Sequence, residues 1–118
     1  MRAKDAVGAY GERVAERFLV EAGLVVLERN WRCTLGEIDI VARDGDCLVV
    51  CEVKTRSSPA FGHPVEAVTP AKARRLRALA IEWVKARGVR PHEIRIDVVA
   101  VLRSAHGPAE VSHLRAVA

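Results

Sequence analysis

Apolar residues in the stretch AVGAYGERVAERFLVEAG return every three or four positions, at Val7, Tyr10, Val14 and Phe18. That period predicts a helix over residues 5–22, stopped by Gly23. Gly8 and Gly11 are unexpected inside it, because each costs about 1 kcal/mol relative to alanine. Close packing on a sheet, or room for a ligand beside Glu12, would account for them. Beyond Gly23 the pattern changes to short apolar runs rich in β-branched residues, predicting strands over 24–31, 36–42 and 47–56. The segment 57–64, SSPAFGHP, reads as a loop. Thr69-Pro70 then offers an N-cap followed by a first helical residue. The second helix runs to Arg87, ends at Gly88 and carries the stripe Ala73, Leu76, Ala80 and Trp83. Residues 93–103 form a strand with an apolar centre on both faces, HGP makes a turn, and 110–117 make a last, edge strand. The order αβββαββ, with helices flanking the strand run, predicts an α/β layered fold. Its length suits one domain over residues 1–118.

Asp44-Gly45, between two alternating strands, is a hairpin signal. With those two residues as the loop, Glu37 pairs with Glu52 and Asp39 with Val50. A turn on Gly45-Asp46 pairs Asp39 directly with Glu52. Side chains alternate across a sheet, so either register puts Glu37, Asp39, Glu52 and Lys54 on one face. Leu48 and Val50 share that face, while Ile38, Ile40, Val49 and Val53 line the other. Such a strand is buried on both sides.

Composition narrows the function classes. Half of the residues are hydrophobic, enough for a real core, yet no run approaches the ~18 apolar residues of a membrane span. The N-terminal stretch mixes acids and bases and lacks the apolar run of a signal peptide, so a cytoplasmic protein is expected. Cys33, Cys47 and Cys51 show no CxxC spacing and are expected as buried, reduced thiols. His63, His92, His106 and His113 form no zinc-binding pattern. A net charge of +4 permits a polyanionic partner, whereas two Trp, one Tyr and two Phe are too few for a base-stacking platform.

The charges on the hairpin carry the candidate chemistry. Charged strand residues ordinarily mark a solvated face, but an unpaired charge between apolar neighbours costs several kcal/mol, and crowded carboxylates repel. A divalent cation resolves both, and Mg²⁺ or Mn²⁺ prefers hard carboxylate oxygens. Lys54 would sit beside it, able to orient water or stabilise charge on a phosphate. Asp39, twelve intervening residues and then Glu52-Val53-Lys54 is an arrangement suited to cutting a phosphodiester with metal-activated water.

These residues resemble a known family. GEID and EVKTR, following GAYGERVAERFL, look like the PD-(D/E)xK nuclease superfamily, and more closely the YraN-like family of predicted endonucleases related to archaeal Holliday junction resolvases. The resemblance extends to Gly11–Ala15, Asn30–Arg32 and Arg95–Val101, covering nearly the whole chain. It implies a restriction-endonuclease-like three-layer fold, a central mixed sheet flanked by helices. It carries the core acid onto Asp39, the second acid onto Glu52, the lysine onto Lys54 and a helix-borne metal ligand onto Glu12. Ile38 stands where the superfamily's name motif has proline. By analogy with resolvases, a homodimer is implied.

Around this set, Glu37 is placed at the rim. Asp97, in its apolar strand, is expected to pair with an arginine. Arg56 would touch the scissile phosphate or cap its strand. Lys72, Arg74 and Arg75 lie near the start of the second helix, where basic groups oppose the helix dipole and a bound anion would relieve them. They are the candidate nucleic-acid contacts, the alternative being a solvated face. The loop 57–64 is placed as a DNA-facing flap. The sequence thus predicts a Mg²⁺- or Mn²⁺-dependent nuclease acting on structured or branched DNA; the alternative is a binding module that holds nucleic acid without cutting it.

Overall fold

A computed structural model describes residues 6–57 and 68–118. The elements are α1 (Ala6–Glu21), β1 (Val25–Cys33), β2 (Gly36–Asp44), β3 (Cys47–Arg56), α2 (Pro70–Arg87), β4 (Glu93–Leu102) and β5 (Glu110–Leu114). This is the predicted αβββαββ order. The strands lie side by side in the order β1-β2-β3-β4-β5. All neighbours are antiparallel except β3 and β4, which are parallel, and α2 lies on the connection between them. The mixed sheet separates two apolar layers. On one face, Ala15 and Leu19 of α1 pack with Ile40, Val49, Cys51 and Val99. On the other, Leu76, Leu79, Ala80 and Trp83 of α2 pack with Ile38, Val50 and Ile96. Strands covered on both sides need apolar residues on both sides, hence the near-continuous runs of β3 and β4.

Helix α1 seats on Gly11, Ala15 and Leu19, one step around from the predicted stripe, whose members are only half-buried. Gly11 allows the close approach: a Cβ there would lie 1.7 Å from Thr55 Oγ1. Of the two explanations for this glycine, close packing on the sheet is the one observed. In α2 the Thr69 hydroxyl accepts the Lys72 N–H at 3.1 Å, and Gly88 closes the helix at φ 65°. Its buried stripe takes Leu79 in place of the expected Ala73.

Of the two hairpin registers, the loop Gly45-Asp46 is the one observed, so Asp44 pairs with Cys47 and Ile40 with Cys51. Gly45, at φ 59°, takes the first loop position, where a type II′ turn places glycine. A correction concerns Ile38, which joins the α2 layer while Ile40 joins the α1 layer. Strict alternation breaks between these two residues, where the β2–β3 ladder stops. The β2–β3 ladder ends at Ile40–Cys51, whereas β1 and β2 stay paired as far as Cys33–Gly36. β1 therefore reaches Cys33, past the predicted end, with a bulge between Val26 and Glu28 and a left-handed Asn30 at φ 51°.

All three cysteines are free, but only Cys51 is fully buried; burial pushes its thiol well above the usual range. Asp97 has its arginine. Arg95 donates to both of its oxygens, His113 Nε2 stands 2.7 Å from Oδ2, and the Ala116 N–H donates to Oδ1. This cluster ties β5 and the chain end to β4. No helix among the described residues is long and apolar enough to cross a membrane.

Candidate active site

The parting of β2 from β3 opens a cleft of about 680 Å³ lined by residues of both α1 and α2. Asp39 lies one residue beyond the last β2–β3 pair, opposite Glu52. Here the side chain continues what the backbone ladder has left off: Asp39 Oδ2 accepts the Val53 N–H at 2.9 Å. Glu52 is the next residue of β3, only 9 % exposed, and Lys54 follows on the same face with Nζ 3.7 Å from Glu52 Oε2. Glu12, carried on α1 beside the glycine that presses on Thr55, and Glu37 of β2 also line the cleft.

The carboxylates feel one another. Burial raises the Asp39 carboxyl to about 7, and the charge of Glu52 adds to the rise. The Val53 N–H opposes it, while Glu12 and Glu37 add smaller upward contributions. A proton, a lysine or a divalent cation would each relieve this crowding.

Two lysines relieve it at Glu52. Besides Lys54, Lys72 of α2 bonds directly to Glu52 Oε2 and is the closer of the two. The predicted trio on α2 thus divides. Lys72 enters the site, Arg75 lines the cleft, and Arg74 is exposed outside it. Arg56 does not line the cleft; its carbonyl accepts the Arg103 N–H at 2.8 Å, continuing the β3–β4 register. Apart from Ser57, the predicted loop 57–64 lies outside the described residues.

Asn30 was not singled out by its chemistry. Its side-chain amide donates to Glu12 Oε1 at 2.8 Å, linking β1 to α1. The signal was faint: asparagine in a strand tolerates a left-handed backbone better than most residues.

The profile of an uncharacterised protein family, UPF0102, matches residues 11–101. The chain belongs to UPF0102. Proteins named for this family from Kineococcus radiotolerans and Beutenbergia cavernae are each 64 % identical to it, over 118 and 117 residues. Those alignments cover 99 % of this chain and 97 % and 99 % of the relatives. A Streptomyces coelicolor UPF0102 protein is 58 % identical over 120 residues, covering all of this chain and 92 % of the relative. The matched span of the UPF0102 profile includes Glu12, Asn30, Asp39, Glu52, Lys54, Lys72 and Arg75.

The residues can be tested for fit to a divalent ion. The donor set is oxygen-only and anionic, as Mg²⁺ and Mn²⁺ prefer. As the side chains stand, no three acids, histidines or cysteines among the described residues converge on one point. Glu52 is turned to lysine and Glu12 to Asn30. The set therefore suits an ion in chemistry, while as they stand Glu52 and Glu12 are engaged by these other partners.

Proposed function

We propose that this UPF0102 protein is a metal-dependent nuclease of the PD-(D/E)xK type that hydrolyses phosphodiester bonds in structured or branched DNA. The observation that carries this reading is the meeting of Asp39 and Glu52 where the β2–β3 ladder ends, with Lys54 beside them in one cleft. Asp39, Glu52 and Glu12 would hold Mg²⁺ or Mn²⁺. When bound, the ion supplies an activated water and an electrophile for the phosphoryl oxygen.

The protein's own groups do the rest. The Val53 N–H fixes one oxygen of Asp39, leaving the other for a ligand. Lys54 places positive charge beside the acids, where it can orient water and stabilise charge developing on phosphorus. Arg75, on the rim, supplies a phosphate contact. Cytoplasmic DNA is the natural target of such an enzyme, and a four-way junction with two strands to cut would suit a homodimer.

The test is a panel of linear, flapped and four-way-junction substrates with Mg²⁺ or Mn²⁺, run with wild type, Lys54→Ala and Asp39→Asn. Cleavage by wild type alone supports the nuclease. Tight binding without cleavage in either metal would transfer support to the non-catalytic binding module, a reading favoured by the double lysine clamp on Glu52.

A further inference from the structure

Glu52 has two ammonium partners where water activation needs one, and the second comes from a different element. Lys72 sits in the first turn of α2, where its backbone N–H is fixed by the Thr69 hydroxyl. Its Nζ bonds Glu52 Oε2, the oxygen that Lys54 approaches at 3.7 Å. The pair is partly shielded, with side chains 22 % and 11 % exposed. Three features set its strength. Shielding strengthens the attraction. The start of a helix is a poor place for a cation, which weakens the hold of Lys72 there. The long lysine stem lets the ammonium leave while the capped backbone stays in place.

We propose that Lys72 is an exchangeable counter-ion of Glu52, released when a divalent cation takes that carboxylate and then free for a substrate phosphate. The inference rests on the metal-site reading above and deepens it. A divalent ion competes well for Glu52 because it relieves Asp39 at the same time, which a single ammonium on Glu52 does less effectively. The released ammonium keeps its position on α2, three residues before Arg75, so a phosphodiester gains a cationic partner when the metal arrives. Metal and nucleic acid are coupled through one side chain, and the metal-free site is held in a neutralised, resting form.

The experiment measures Mn²⁺ affinity by calorimetry and the reactivity of Lys72 toward an acetylating reagent by mass spectrometry, with and without Mn²⁺. In wild type, saturating Mn²⁺ should raise acetylation of Lys72 severalfold. Lys72→Met, which removes the competitor, should tighten Mn²⁺ binding about tenfold, equivalent to about 1.4 kcal/mol. Lys72→Arg, which keeps a competing charge, should stay near wild type. Circular dichroism and thermal melts check that each variant is folded. Mn²⁺ binding of equal strength in wild type and Lys72→Met, with acetylation of wild type unchanged by Mn²⁺, overturns the exchange while leaving the nuclease reading standing. No Mn²⁺ binding by any variant overturns both.

Discussion

The Asn30 amide donates to Glu12 Oε1 at 2.8 Å, from a backbone held at φ 51°. One residue thus does two jobs, a left-handed turn of the chain and a grip on an acid of the cleft. Two variants separate them. Asn30→Gly keeps the backbone and loses the amide; it should melt near wild type yet lose metal-dependent cleavage. Asn30→Ala should lose cleavage too and be less stable than Asn30→Gly by about 1 kcal/mol, since a Cβ is strained in that region. Thermal melts and junction-cleavage assays report the two effects separately. Full cleavage by Asn30→Gly would leave the contact with Glu12 without consequence for the chemistry.

Gly11→Ala should be among the most damaging small substitutions. Its Cβ would meet Thr55 Oγ1 at 1.7 Å and the Thr55 Cβ at 2.8 Å. The loss should be about 2–3 kcal/mol in urea denaturation, as for an overpacked core. Adding Thr55→Gly should recover part of it, because the obstructing side chain is gone. A Gly11→Ala protein as stable as wild type would mean that α1 can lift off β3 freely.

Asp39 makes metal-free stability depend on pH. Its folded pKa, about 7, lies above the ordinary 3.8, so the folded state keeps a proton that the unfolded chain releases. Its favourable contribution is complete below about pH 4 and is lost as pH rises through 7. The span amounts to at most about 4 kcal/mol. Other acids, such as Glu16 and Glu28 with lowered values, pull the opposite way, so the difference between wild type and Asp39→Asn is the informative quantity. Asp39→Asn should gain on wild type steadily from pH 4.5 to 7.5 without metal, and should show no stabilisation by Mn²⁺. A constant difference across that range, by urea titration, would contradict a carboxyl raised by burial and by the charge of Glu52.

Arg75 and Arg74 are neighbours in sequence with different expected effects. Arg75 lines the cleft and Arg74 does not. Arg75→Glu should weaken DNA binding and reduce the slope of affinity against salt by about one unit or more. Arg74→Glu should change both less. Equal effects, measured by fluorescence anisotropy between 50 and 200 mM salt (about the range over which counterion release is plain), would assign these charges to a general solvated face.

Much of this was legible because local rules were strong. Thr69-Pro70 and Gly88 bracket α2 as capping chemistry demands, and β3 carries its two-sided burial in an apolar run. The parity of the hairpin was legible too, but not its register, since Asp44-Gly45 and Gly45-Asp46 differ by one step and both put glycine where a turn tolerates it. Ile38 was misplaced because strict alternation breaks between it and Ile40, where the β2–β3 ladder stops. The contacts of Lys72 and Asn30 within the cleft were hidden for a different reason. Their partners, Glu52 and Glu12, lie 20 and 18 residues away, and only tertiary packing selects those two contacts among many charged and polar groups.

The ladder between β2 and β3 is formed across a two-residue loop, whereas Lys72 arrives on a helix that precedes a parallel strand. Short loop closures are fast, and a parallel pairing through a crossover is slow. Contact order therefore favours the meeting of Asp39 and Glu52 before the α2 ammonium arrives. A chain that folds in that order has a stage in which its two core acids face each other with only Lys54 at hand. Ionic strength, pH and divalent ions should act on that stage as well as on the finished molecule, so the refolding rate itself should respond to Mn²⁺.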